Sequence, residues 1–258
     1  MHDESALDAH YRQPTRPLGV LMLDTRFPRL LGDVGNALTW PFPVLYRVVR
    51  GAHPERMAQA TPDPDILTPF IDAAQGLERK GAQAITTSCG FLAAYQPELA
   101  AASSVPVFTS ALLQVPLAGR LCRSGEVVAI LTAREVLTER HFHGAGWSAN
   151  DIAVVQAAPP PDSHFVTTFV GNMPTTDIAL LRTEVAELTE RVMSEYPVGA
   201  IVLECANLSP FAGIVRRIAQ VAVFDLYTLG ISAHLSSAAE HDDAVLEMSA
   251  DPLGQAHG

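Results

Sequence analysis

Ala84-Ile85-Thr86-Thr87-Ser88-Cys89 and Ala200-Ile201-Val202-Leu203-Glu204-Cys205 decide how this chain is built. A gapless shift of 116 residues, from 84 to 200, brings Ala, Ile and Cys of the two segments into coincidence. At the same shift Val105 meets Val221, Val107 meets Val223 and Phe108 meets Phe224. Each half therefore reads as strand, Cys-bearing turn, helix, strand. The unbroken apolar runs suit parallel strands buried on both faces. Two similar lobes about a pseudo-twofold axis would set their Cys-bearing turns face to face. In open parallel sheets, ligands bind beyond the carboxyl ends of the strands, where both cysteines fall.

The surrounding pattern is that of an α/β protein with alternating strands and helices. Apolar runs predict strands at Leu18–Leu23, Val44–Val49, Ala84–Thr87, Val105–Phe108, Val127–Leu131, Ile152–Val155, Ala200–Leu203 and Val221–Phe224. Ile178, Leu181, Val185, Leu188 and Val192 recur at helical spacing and predict a helix over 176–195, capped by Thr175 or Thr176. A second helix is expected from Thr68, with Pro69 at its first position, to Lys80. The expected lobes are residues 17–114 with 222–240, and residues 115–221. The polar ends, 1–16 and 241–258, are expected to be flexible.

Composition narrows the chemistry. The 258 residues carry 17 Lys and Arg against 28 Asp and Glu, a formal net charge of −11, which is the wrong sign for a nucleic-acid partner. At 48% hydrophobic and 17% charged residues the chain can fill a core. It has no apolar run long enough to span a membrane. Met1-His2-Asp3-Glu4-Ser5 is acidic where a secretory signal is basic, so a soluble cytoplasmic protein is expected. The 3 cysteines, Cys89, Cys122 and Cys205, fit free thiols in a reducing compartment. Among the 17 basic residues only Lys80 is a lysine, placed before Gly81 at an expected helix end. A pyridoxal-phosphate enzyme needs a lysine in its pocket, so no such cofactor is expected. His141 and His143 lack a companion carboxylate or Cys set, so no metal is expected. No nucleotide fingerprint, phosphate loop or nucleophile elbow appears.

Cys122 reads as a space-filling thiol. Cys89 and Cys205 each end an apolar strand at what reads as a helix start, where free N–H groups lower a thiol pKa. Their neighbours are polar: Thr86, Thr87 and Ser88 before the first, Glu204 and Asn207 around the second. A thiolate and a thiol facing one carbon could remove a proton on one side and return one on the other.

Thr87-Ser88-Cys89-Gly90-Phe91 and Leu203-Glu204-Cys205-Ala206-Asn207 resemble the paired cysteine motifs of the aspartate/glutamate racemase superfamily. That superfamily includes cofactor-independent amino-acid and hydantoin racemases, maleate isomerases and arylmalonate decarboxylases. The resemblance runs over most of 17–235 and implies two flavodoxin-like or Rossmann-like lobes with an active-site cleft between them. Amino-acid racemases of this group usually follow the first Cys with Asn and the second with Thr-His; here Gly90-Phe91 and Ala206-Asn207 stand instead. Leu23-Asp24-Thr25-Arg26-Phe27-Pro28-Arg29, Gly32-Asp33-Val34-Gly35-Asn36 and Thr87-Ser88-Cys89-Gly90-Phe91-Leu92 look closer to the branch of Alma-type dimethylsulfoniopropionate lyases.

The resemblance implies Cys89 and Cys205 as catalytic proton-transfer groups acting on a small carboxylate. A carbon acid beside a carboxylate yields a dianionic enolate that needs aimed donors. Ser88, Thr87 and the N–H groups after each Cys are candidates, with Gly90 and Phe91 beside them. Asp24 is a candidate partner for an ammonium or sulfonium group, or a loop cap. Thr132, the second lobe's counterpart of the first-strand terminus at Asp24, is by pseudo-symmetry a candidate carboxylate contact, with Arg134 beside it. Glu204 either tunes Cys205 or pairs with an Arg at the rim, and Asn207 either orients a carboxylate or caps a helix. Racemase or isomerase chemistry is the first reading, β-elimination the alternative, and a non-catalytic carboxylate sensor or a single-thiol decarboxylase remains open. The Pro-rich stretch 157–174, with Phe165 and Phe169, is long enough to fold over the cleft. A homo-oligomer, a dimer by base rate, is expected.

Overall fold

A computed structural model describes residues 17–237. The tail segments expected to be flexible, and residues 238–240 of the first lobe, lie outside the described residues. The eight strands among the described residues fall into two four-stranded parallel sheets. In the first sheet β1 (Leu18–Leu23), β2 (Val44–Val49), β3 (Ala84–Thr87) and β4 (Val107–Phe108) take the order β2-β1-β3-β4. In the second, β5 (Val127–Leu131), β6 (Val154–Ala157), β7 (Val198–Leu203) and β8 (Ala222–Phe224) take the same permutation, β6-β5-β7-β8.

The repeat holds residue for residue in the ladders. Ile85 pairs with Val107 and Thr86 with Phe108; their counterparts Ile201 and Val202 pair with Val223 and Phe224. β1 and β5 are fully or almost fully buried along their length, as expected of central parallel strands whose two faces are both covered. The boundary at 221/222 needs correction. β8 hydrogen-bonds to β7, so residues 222–224 belong to the second sheet. Only after Phe224 does the chain return, through the helix Leu226–Ser237, to pack against β3 and β4.

Helix ends follow local chemistry rather than periodicity. The long helix is Ile178–Glu195, and its start is set by Asp177, whose carboxylate accepts from the N–H groups of Ala179 (2.9 Å) and Leu180 (3.1 Å). Thr176 instead contacts His164 Nε2 at 3.0 Å. Leu181, Val185, Leu188 and Val192 are buried, whereas Ile178 is exposed at the first turn. The helix expected from Thr68 is Leu67–Glu78, so Pro69 sits inside its first turn, and Lys80 is exposed beyond its end. A preceding 3-10 turn, Pro64–Ile66, begins at Asp63, whose side chain accepts from the Asp65 N–H.

The lobes share a core. One buried cluster joins Leu18, Leu21 and Ile85 of the first sheet to Val128, Ile130 and Val202 of the second. The helix Glu139–Gly144 of the second lobe packs on the 3-10 turn Gly90–Tyr95 of the first. Contact there is close enough that a Cβ at Gly144 would collide with the Ala93 carbonyl. No helix among the described residues is long and apolar enough to cross a membrane.

Candidate active site

Each cysteine is placed by the same backbone device. Beyond β3, the Ser88 N–H donates to the Leu21 carbonyl (2.9 Å); beyond β7, the Glu204 N–H donates to the Leu131 carbonyl (2.8 Å). The next residue, Cys89 or Cys205, is extended and leads into a six-residue 3-10 turn, Gly90–Tyr95 or Ala206–Phe211. Thr87 fixes the first turn further. Its hydroxyl accepts from the Cys89 N–H (3.2 Å) and donates to the Thr109 carbonyl (2.6 Å). Thr87 is thus fully buried behind Cys89 and positions it.

The two cysteines line one cavity, small enough that about 40 Å³ is open to water, room for only a few molecules. The first lobe supplies Leu23, Phe27, Ser88, Cys89, Gly90 and Phe91. The second supplies Ala133, Phe169, Val170, Glu204, Cys205 and Asn207. A larger depression of about 440 Å³ lies elsewhere on the second lobe, between Arg120, Cys122, Glu126 and Trp147, and contains neither of these thiols.

Most of the expected site residues meet here. Ser88 Oγ accepts from the Leu23 N–H (3.0 Å), which leaves its own proton free to be donated. Asn207 does not cap the following turn; its Nδ2 lies 3.8 Å from Cys205 Sγ, and its Oδ1 is buried without a partner among the described residues. Glu204 is fully buried, and among the described residues no arginine pairs with it. Its Oε2 accepts from the Thr132 hydroxyl (2.7 Å) and its Oε1 has no hydrogen-bond partner among the described residues.

Asp24, Thr87 and Thr132 stand outside the cavity wall. Asp24 accepts from the Gly51 N–H (3.1 Å), the loop-cap role, because Gly51 turns there with φ of +77°. Thr132 reaches the site only through Glu204. His141 and His143 are helix residues without a metal set: His141 Nδ1 accepts from the Thr138 N–H (3.1 Å) and His143 pairs with Glu139 (3.0 Å). Among the described residues no group of three His, Cys, Asp or Glu could hold a metal ion.

Of the apolar walls, sequence reasoning reached Phe91 and, through the stretch 157–174, Phe169, but missed Phe27. Phe27 and Phe169, one from each lobe, meet edge to face at 5.1 Å with an interplanar angle of 89°. Such pairs add about 0.5–1.5 kcal/mol beyond burial. The Arg29 guanidinium stacks 4.5 Å from the Phe27 ring and is itself tied to Asp33 at 3.2 Å. The stretch 157–174 reaches the cavity through Phe169 and Val170, and the Arg26 N–H donates to Asn172 Oδ1 (2.6 Å) across the same boundary.

Electrostatics differ from the helix-start expectation. Burial, reinforced by the nearby Glu204, pushes the Cys89 thiol up to about 12; the Phe91 and Leu92 N–H groups offset only part of this. Burial and Glu204 push Cys205 up as well, against its bonds to Asn207. A six-residue 3-10 turn offers too few aligned dipoles to reverse desolvation. Burial also raises Glu204 to about 7, with Thr132 pulling it slightly down.

Two equivalent strand ends each deliver a cysteine to one small cavity. Residues 48–233 match the Asp/Glu/hydantoin racemase family. The chain belongs to that family of enzymes. It is 30% identical over 224 residues to dimethylsulfoniopropionate lyase 3 of Emiliania huxleyi (strain CCMP1516), a match covering 82% of this chain and 57% of the relative. The chain therefore spans little more than half the length of that relative. A glutamate racemase from Bacillus anthracis superposes with a TM-score of 0.55 at 17% identity, covering 88% of this chain and 85% of that one. Unliganded arylmalonate decarboxylase superposes with a TM-score of 0.54 at 17% identity, covering 87% and 94%. These structural likenesses show the two-lobed fold.

Proposed function

We propose that this enzyme removes the α-proton of a small carboxylate substrate with Cys89 and Cys205, without a cofactor, in racemase or isomerase chemistry. The observation that carries this reading is the placement of one cysteine from each lobe in a single cavity, at equivalent positions of the repeat. One thiol, ionised on substrate binding, takes the α-proton; the other delivers a proton to the opposite face. Ser88 and the N–H groups of the two 3-10 turns face the developing enolate. Exclusion of water strengthens each of these interactions.

A second reading rests on the named relative. If the β-carbon bears a sulfonium, the same enolate expels it, and dimethylsulfoniopropionate gives acrylate and dimethyl sulfide. That route needs one base only. The two readings separate in single variants. Racemisation requires both thiols, so Cys89→Ser and Cys205→Ser each lose at least about two orders of magnitude, the usual size of a proton-transfer contribution. Elimination makes the losses very unequal. Wild-type turnover rates in the double variant contradict both.

A further inference from the structure

The cavity described above contains a carboxyl group for which the cysteine mechanism has no use. Glu204 is fully buried and lines the cavity beside both thiols. Its two oxygens are unequal. Oε2 is occupied by the Thr132 hydroxyl, which donates to it at 2.7 Å. Oε1 is buried and unpartnered among the described residues. The opposite lobe makes room for it with a glycine: a Cβ on residue 90 would collide with Glu204 Oε1 and with the Glu204 carbonyl.

Among the residues lining the cavity, Glu204, Cys89 and Cys205 are the only titratable ones; no Lys or Arg is among them. Arg29, whose charge is felt at Cys89, is held by Asp33, and His141 behind Phe91 is kept neutral by burial. A second anion entering such a space next to an ionised carboxylate would be strongly disfavoured, because like charges in a desolvated site cannot both persist.

Resting on the proposed carboxylate substrate, we propose that Glu204 works as a neutral carboxylic acid, taking one proton from solvent on Oε1 when the substrate binds and donating it as a hydrogen bond to the substrate carboxylate. Thr132 directs the proton to Oε1 by occupying Oε2. The bond tightens as charge moves onto the carboxylate oxygens in the enolate, as expected of an acid kept neutral in an apolar site. The same protonation removes the negative charge that raises both cysteines, so substrate binding itself eases their ionisation. The resting value near 7 is compatible with this uptake.

Calorimetry with propionate, a carboxylate that has no leaving group, tests this without reference to turnover. Titrations at pH 6 and pH 8, in buffers of differing ionisation enthalpy, should show close to one proton taken up at pH 8 and far less at pH 6. Affinity should fall about tenfold per pH unit above pH 7. The near-isosteric Glu204→Gln should bind propionate with no uptake and a flat pH profile. Binding without uptake in the wild type, or uptake undiminished in Glu204→Gln, overturns the role of Glu204 while leaving the cysteine reaction standing. Failure of propionate to bind at pH 6 overturns it too. Failure of the cysteine reaction would appear instead as absent proton exchange in the turnover assay.

Discussion

Gly90 and Glu204 meet across the boundary between the two sheets, so closely that the glycine has no space for a methyl group on the side facing the acid. The contact couples the lobe that carries Cys89 to the residue preceding Cys205. Part of the obstruction is the Glu204 backbone carbonyl, which cannot swing aside. Gly90→Ala should therefore destabilise the fold by about 1–3 kcal/mol, the usual cost of overpacking. A lowered midpoint in thermal unfolding checks this; an unchanged midpoint would mean the two turns are free to separate.

Glu204 also predicts how stability depends on pH. Its folded value, about 7, lies above the ordinary carboxylate value of 4.5. The neutral form is therefore the one the fold tolerates. This stability is fully present below pH 4.5 and is lost as pH rises through 7. Glu204→Gln removes the ionisation, so the variant should gain on the wild type by roughly 1–3 kcal/mol between pH 5 and pH 8. Urea unfolding at the two pH values measures the difference, and parallel curves would contradict it.

Among the described residues, Thr132 donates the one hydrogen bond that the Glu204 carboxyl receives. Thr132→Val keeps the shape and deletes that donor, leaving both carboxyl oxygens unsatisfied. The expected cost is about 1–3 kcal/mol above pH 8, with a smaller one at pH 5 where Glu204 is neutral. Equal losses at both pH values would show that the hydroxyl serves packing alone.

The thiols should differ in reactivity in an order opposite to the one a proton-transfer role suggests at first sight. Cys89 and Cys205 are buried and held protonated, whereas Cys122 is partly exposed. Iodoacetamide at pH 7.5 should therefore label Cys122 first, with Cys89 and Cys205 lagging at least about tenfold, as thiolate-limited alkylation requires. Peptide mapping by mass spectrometry reads this order. Prompt labelling of Cys89 would show a cavity more open and more polar than described.

The fold was legible because the repeat carries it. Apolar runs located β1, β2, β3 and β5 to the residue, and the shift that pairs Cys89 with Cys205 also aligns the ladders at Ile85–Val107 and Ile201–Val223. What periodicity cannot see is side-chain capping: Asp177, not a threonine, starts the long helix, because its carboxylate satisfies two open N–H groups. The expected lobe boundary at 221/222 ran against the repeat itself, which sets Val221–Phe224 opposite Val105–Phe108 as the closing strand of the second half; the pairing of β8 with β7 follows the repeat.

The site was partly legible. Cys89, Ser88, Gly90, Phe91, Glu204, Cys205 and Asn207 all lie on the two strand-end turns, so local sequence sufficed to gather them. Phe27 and Phe169 come from segments far apart in the chain, and only folding brings them together. Arg134 corresponds by strand register to Asp24, and Thr132 to Met22, since Leu21 pairs with Thr87 and Leu131 with Leu203. Counting from the strand terminus therefore paired Thr132 with the wrong residue. The thiol pKa expectation failed because helix-start position is visible in a sequence and desolvation is not.

The central claim is that Cys89 and Cys205 together move the α-proton of a small carboxylate. The most direct measurement is proton NMR in heavy water with aspartate, glutamate, a hydantoin and dimethylsulfoniopropionate, run on the wild type and on Cys89→Ser/Cys205→Ser. The account predicts that the wild type either washes out an α-proton signal or generates acrylate vinyl signals with one member of the panel, and that the double variant does neither. Full turnover by the double variant would contradict it.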